Sequence, residues 1–437
     1  MTERNGKRNV ARQSRRDFLK TTAVSAGALM LAGAHLPSAH AAGSDVMKVG
    51  VIGCGGRGTG AALDCLKAGG QGVQLWAMGD LFKDRLASSH AKISSKGYGD
   101  NKAQFDVPAD RQFTGWDNHE KVVASGVDMV ILATPPGFRP MTLKAAVDAG
   151  KHVFMEKPVA VDPTGIRSVI ESAEAAEKKG LAIVAGTQRR HEPTYVETIK
   201  RIQNGMIGDL VSAQCYWNQG TLWVHNRKSE YSDMEWQIRN WLFLTWLSGD
   251  HIVEQHVHNL DILNWAMGSP PKQCSGMGGR QVRVEPQYGN IFDHFAVEYE
   301  YPNGARVMSM CRQTAGCHNN VSERVIGTRG FSYTDGANGY IKGAKAYEYP
   351  DKSTDPYVQE HTDLIAGIRA GKPINEGVRV AESTLTAIMG RISAYTGRAL
   401  SWNWVMNSSK LDLSPPKYEF GDLPLAPVAV PGDTELV

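Results

Sequence analysis

The chain has 437 residues, 42% of them apolar and 21% charged, a globular balance that excludes an intrinsically disordered chain and a polytopic membrane protein. At roughly 100 to 200 residues per domain, that length predicts two domains. The formal charge of +3 belongs to the first 42 residues, where Arg4, Lys7, Arg8, Arg12, Arg15, Arg16 and Lys20 meet only Glu3 and Asp17; beyond them 41 basic side chains face 43 acidic ones, so nothing favours nucleic acid as a partner.

Residues 1–41 read as a leader. Ser14-Arg15-Arg16-Asp17-Phe18-Leu19-Lys20 precedes the uncharged stretch Thr21 to Leu36 and the small-x-small site Ala39-His40-Ala41. This pattern predicts a twin-arginine signal peptide, a route that carries folded proteins, and places the mature protein in the periplasm. The apolar part is about 16 residues long and falls short of the ~20 of a membrane anchor, so the mature form is expected to be free of the membrane. Six cysteines are too few for a disulfide scaffold, and whether Cys311 and Cys317 are bonded stays open.

From residue 45 to 187, strand-like runs (Val49 to Gly53, Gln74 to Asp80, Val127 to Thr134, His152 to Lys157, Leu181 to Thr187) alternate with helical patterns such as Thr59 to Ala68, Pro140 to Ala149 and Pro163 to Lys179. That rhythm predicts right-handed βαβ units and an α/β Rossmann domain with a parallel sheet. Gly53-Cys54-Gly55-Gly56-Arg57-Gly58 fits G-x-G-x-x-G between the first strand and a helix, where a pyrophosphate meets the helix N-terminus. The next strand ends in Asp80, 22 residues after Gly58, placed to accept hydrogen bonds from a ribose; it repels a 2′-phosphate and favours NAD, although Arg57 and Lys83 partly offset this for NADP. Thr134-Pro135 and Glu156-Lys157 also follow strands, at the carboxyl edge where ligands of such sheets bind.

Residues 188–414 change character. Strand-like runs (Leu210 to Trp217, His294 to Tyr301, Ala305 to Arg312) joined by Gly, Pro and Asn turns predict an α+β domain on a largely antiparallel sheet. Within it, Ser248 to Met267 reads as one helix, on which His251, Glu254, His258 and Asp261 share a narrow arc because their spacings are 3, 4 and 3. Glu254 stands four residues before His258, suited to an orienting hydrogen bond. A solvated helix face is the plain alternative, and no metal site is expected because the spacing is not the His-Glu-x-x-His pattern. Trp217, Trp223, Trp236, Trp241 and Trp246 crowd 30 residues with Asn218, Arg227, Gln237 and Arg239 between them, a mixture of flat faces and polar groups that suits a sugar. Trp217, Asn218, Trp223, Arg239, Trp241, Asp261, Arg190 and His191 are the expected substrate residues. Core packing explains some of the tryptophans equally well. Residues 415–437, with five prolines, read as an extended surface arm.

The fingerprint Gly53 to Gly58, the run Glu156-Lys157-Pro158 and a helix carrying a carboxylate four residues before His258 together resemble the Gfo/Idh/MocA oxidoreductases, over nearly the whole mature chain. The resemblance implies a Rossmann domain and an α+β domain whose open sheet often serves oligomerisation, hence a homo-oligomer, dimer or tetramer. It also implies that Lys157 and His258 sit beside the nicotinamide and a substrate hydroxyl, with His258 the acid/base. Glu254 stands where Asp is common, and His256 where Gly is usual. Chains with similar leaders are also similar to the NAD-dependent glycosidases of glycoside hydrolase family 109.

The expected activity is hydride transfer between a sugar or polyol carbon and a tightly bound NAD, with NADP possible, and Lys157, His258 and Glu254 as catalytic residues. The alternative is a redox-neutral glycoside hydrolase or epimerase working through a transient keto sugar. A noncatalytic sugar-binding protein or a metal-dependent hydrolase using the helix stripe are the readings from other classes.

Overall fold

The computed structural model describes residues 46–350 and 354–437, and the leader expected over residues 1–41 lies outside them. Six parallel strands, β1 (Met47–Ile52), β2 (Val73–Asp80), β3 (Gln112–Thr114), β4 (Met129–Leu132), β5 (His152–Met155) and β6 (Ile183–Ala185), stand in the order 3-2-1-4-5-6. Their short apolar runs follow from burial on both faces, which alternate residues serve. On one face Val49, Val51, Ile131, Phe154 and Val184 pack with the helices Gly56–Gly69 and Lys83–Ile93. On the other, Ile52, Leu132, Val153 and Met155 pack with Arg139–Asp148 and Pro163–Lys178. The order reverses between β1 and β4, which opens a crevice at their carboxyl ends.

The first core is closed by a segment from far along the chain. Leu364, Ile365 and Ile368 of the helix Pro356–Arg369 pack into it, and Ile183 N donates to Ile374 O at 2.8 Å. A linear boundary at 187 and 188 therefore does not describe the packing.

Nine strands form the second sheet: β7 (Leu210–Gln219), β8 (Gln273–Gly279), β9 (His294–Glu300), β10 (Arg306–Gln313), β11 (Asn320–Gly327), β12 (Gly330–Thr334), β13 (Gly339–Gly343), β14 (Tyr347–Glu348) and β15 (Leu400–Ser401). Their order is 14-13-12-11-7-10-9-8-15, antiparallel except where β7 pairs with β10. The helices Val257–Met267 and Gly377–Thr396 pack on this sheet, and Met277, Met308 and Met310 are exposed on its strands. Cys311 is buried, Cys317 is exposed, and neither is bonded.

The single helix expected over Ser248 to Met267 is broken. Gly249 (φ 77°) and Asp250 (φ 71°, ψ 163°) leave helical geometry, a short turn His251–Glu254 follows, and after Gln255 (φ −107°) the helix resumes at Val257. Asp250 holds the first of these breaks. Its Oδ1 accepts from His251 N at 2.5 Å, and its Oδ2 accepts from Phe292 N at 2.7 Å and the Tyr395 hydroxyl at 2.6 Å, all inside the protein. These buried bonds hold a non-glycine residue in a region that costs of order 1–3 kcal/mol.

Candidate active site

The turn after β1 explains its glycines one by one. Gly53 has φ 95°, and a Cβ there would lie 2.6 Å from the Ala133 carbonyl carbon. At Gly58 a Cβ would meet Gly53 O at 1.8 Å, so only glycine lets the helix seat on the turn. Gly55 and Gly56 differ: nothing lies within 4 Å of a Cβ at either. That open space at the helix N-terminus is the room a pyrophosphate requires, and the residues present fit a dinucleotide.

Asp80 ties β2 to this turn. Its Oδ2 accepts from Cys54 N at 2.6 Å and its Oδ1 from Phe82 N at 2.8 Å. Burial raises its pKa, while the two N–H groups and the Arg85 guanidinium pull the other way. The Arg57 guanidinium lies 2.7 Å from Glu156 and 3.0 Å from Asp64. Thr134 is held through its carbonyl by Arg139 at 2.7 Å, whose pKa burial lowers to about 10.

A cavity of about 450 Å³ runs along this edge, lined by Gly53, Gly55, Gly56, Arg57, Asp80, Thr134 and Pro135 of the expected cofactor set. Trp223, Arg239 and Trp241, expected beside a substrate, line it too. Arg239 lies 3.9 Å from the Phe82 ring centre and pairs with Asp84, and Trp223 packs on His225, which bonds Arg85 at 3.3 Å. These groups gather on the Asp80 side, where the adenosine half of a dinucleotide belongs. The sequence reading missed Phe82, Arg85, Trp116 and His225. Phe82 and Arg85 carried a signal, since they directly follow Asp80; Trp116 and His225 arrive through loops that carry none.

Lys157 and His258 lie outside the lining of that cavity and form a second centre. Lys157 Nζ donates to Glu254 O at 2.6 Å and to Glu254 Oε1 at 3.2 Å, joining the end of β5 to the broken helix. The orienting bond expected from Glu254 to His258 is not made, because the break at Gln255 removes the helical relation and the carboxylate goes to Lys157. Glu254 Oε2 is buried without a hydrogen-bond partner. His258 stacks on Trp217 with ring centres 5.6 Å apart and planes at 21°. Burial, then the positive charges of Lys157 and Arg189, hold its pKa well below 6.5, so the imidazole is a neutral acceptor at neutral pH.

The run after β6 places a different arginine here from the one expected. Arg189 lies 5.5 Å from the Trp217 ring centre and pairs with Glu323. Arg190 instead closes on both oxygens of Asp261 at 2.8 and 2.9 Å, and Asp261 also accepts from Arg379 at 3.0 Å and Ser383 at 2.7 Å. Despite burial, those two arginines hold the Asp261 carboxyl far below its usual range. His191 sits between Asp363 at 2.6 Å and Glu376 at 3.6 Å, and although burial opposes the charge these carboxylates raise its pKa to about 9. Arg190, His191 and Asp261, expected beside a substrate, are thus all engaged in ion pairs. Asn218 stays beside Trp217 on β7, opposite Arg312 of β10 and Asn320 of β11. Among the described residues, no group of three or more His, Cys, Asp or Glu side chains is placed to hold a metal ion.

Residues 47–185 match the model of the GFO/IDH/MocA oxidoreductase family, NAD-binding Rossmann fold, and residues 195–332 match the GFO/IDH/MocA C-terminal domain. The chain is 26% identical over 178 residues to the 2,7-anhydro-N-acetylneuraminate hydratase of Escherichia coli strain K12, a stretch covering 41% of this chain and 44% of that protein. It is 23% identical over 339 residues to the myo-inositol 2-dehydrogenase of Thermotoga maritima, covering 75% of this chain and 90% of that one. The chain spans about half the length of the first curated relatives it matches. A levoglucosan dehydrogenase solved with NADH and levoglucosan shares the fold, with a TM-score of 0.64 at 16% identity over 81% of this chain and 99% of that one.

Proposed function

Because this chain belongs to the Gfo/Idh/MocA family of oxidoreductases, we propose that it transfers hydride between a sugar or polyol carbon and a nicotinamide dinucleotide. The observation that carries this reading is that Lys157, from the Rossmann half of the fold, is bonded to Glu254, four residues before His258, whose ring stacks on Trp217. The bound nicotinamide supplies the hydride acceptor or donor. His258, kept neutral by its surroundings, takes the proton of the substrate hydroxyl while the same carbon gives up its hydride and becomes a carbonyl. The Lys157 ammonium, held by Glu254, stabilises the oxygen as negative charge develops on it. Trp217 offers a flat face to the C–H side of a sugar, and Arg189 a donor at its edge. NAD is favoured over NADP because Asp80 borders the cavity and Arg57 is committed to Glu156 and Asp64.

The leader of residues 1–41 supports export of the folded protein to the periplasm with its cofactor bound tightly beforehand, and the cofactor is then regenerated in place. A homo-oligomer is supported by the exposed methionines of the second sheet. The likeness to a hydratase favours one variant of the reading: a substrate is oxidised to a keto sugar, gains or loses water or an alcohol group, and is reduced again, with no net redox change. Mass spectrometry of small molecules released from the denatured, purified protein is expected to find one nicotinamide dinucleotide per chain. Incubation with a panel of glycans then separates the variants, since net oxidation leaves keto sugars and the redox-neutral route leaves free reducing sugars. A protein that neither carries nor binds a nicotinamide dinucleotide ends this reading.

A further inference from the structure

We propose that the C-terminal segment 412–424 is a strap that retains the dinucleotide, with Tyr418 and Phe420 as positioning residues; this rests on the cofactor reading above. Three rings that line the cofactor cavity, Phe82, Trp116 and Phe138, are all capped from outside by this segment. Tyr418 packs on Phe138 with ring centres 5.7 Å apart and on Trp116 at 6.2 Å. Phe420 packs on Trp116 at 5.1 Å and on Phe82 at 6.0 Å. Phe82 and Trp116 follow the carboxyl ends of β2 and β3, so the strap lies over the adenosine half of the site.

Its attachment joins both walls. Leu413 N donates to Asp162 Oδ2 at 2.9 Å on the Rossmann side. On the other side Gln237 Nε2 donates to Leu423 O at 2.6 Å, Leu423 N to Asp233 Oδ2 at 3.2 Å, and Met234 N to Gly421 O at 3.2 Å. Those three partners belong to the helix Asp233–Arg239, which presents Ile238 and Arg239 to the cavity. Between the anchors the hold is light. Phe420 is 46% exposed, and a second hollow of about 150 Å³ lies beneath Asp412, Ser414 and Tyr418, sharing Met141 with the cofactor cavity. A segment fixed by a few hydrogen bonds and four ring contacts can peel away without unfolding either core, and the dinucleotide escapes only when it does.

The test measures release from the full chain. The protein is loaded with NADH, freed of excess, and chased with a large excess of NAD while the fluorescence of bound NADH is followed. The double variant Tyr418→Ala, Phe420→Ala is expected to release NADH roughly 10-fold faster or more, because two pairs of ring contacts are lost. Asp233→Asn, which weakens the Leu423 anchor and leaves both rings in place, shifts release in the same direction. Tyr418→Phe with Phe420→Tyr keeps the rings and releases at the wild-type rate. A purely structural role would lower the unfolding temperature and leave the release rate of the folded protein unchanged. Equal release rates in wild type and the double alanine variant overturn the strap while sparing the cofactor reading; a wild type that takes up no NADH overturns both.

Discussion

At His258, three influences act on one imidazole: burial, the Lys157 ammonium and the Arg189 guanidinium all oppose its protonation. A base so placed is ready at neutral pH, and the acid it becomes is strong, which suits a proton that must travel both ways. His258→Ala is expected to lower kcat/KM by on the order of 10² to 10⁴ on whichever carbohydrate the protein oxidises. The wild-type profile should stay level as pH falls from 8 through 6.5 and decline only below that, since the depressed pKa moves the acid limb downward. A limb centred at 6.5 or above would show that another group titrates. The expectation for this residue came from the family resemblance and not from its spacing alone. The bond expected from Glu254 depended on a continuous helix, and the path of the chain through Gln255 gives that carboxylate to the Lys157 ammonium instead.

One element, the stretch Ser248 to Met267, departs most from its periodic pattern. Spacings of 3, 4 and 3 put four ionisable groups on one arc only if the helix is continuous. The turn at Gln255 interrupts it between Glu254 and His258, and just upstream Asp250 holds a second break through bonds to Phe292 and Tyr395, residues 42 and 145 positions further on. No window of sequence contains those partners. Asp250→Ala loses the bonds and keeps the backbone strain, so it should destabilise the protein by roughly 3 kcal/mol or more. Asp250→Gly loses the same bonds and relieves the strain, and is expected to be the milder change by about 1–3 kcal/mol. Chemical denaturation of the two variants gives the difference; equal losses would mean that the backbone there is not strained.

Across the whole molecule, buried histidines couple folding to pH in opposite senses. His191 has its folded pKa raised from 6.5 to about 9 by Asp363 and Glu376, against the pull of burial. Its stabilisation is complete below the unfolded value and is lost as pH rises from 6.5 toward 9. His256 and His361, lowered to about 3 chiefly by burial, add no pH dependence above 6.5. Below 6.5 the unfolded chain binds protons that the fold refuses, so they erode stability as pH falls. The unfolding temperature of the wild type is expected to drop between pH 6.5 and 9, and His191→Gln to flatten that slope. A slope that survives the substitution would show that His191 does not titrate there.

The alternation of strands and helices, the glycine turn and Asp80 could all be read along the chain, because each depends on backbone sterics or spacing within one or two neighbouring elements. Which arginine of the run 189–191 reaches Trp217, which wall Trp223 and Trp241 join, and what Tyr418 and Phe420 cover depended on folding. Those outcomes are settled by contacts between residues far apart in sequence, where packing and buried charge pairing choose among side chains that look alike in one dimension.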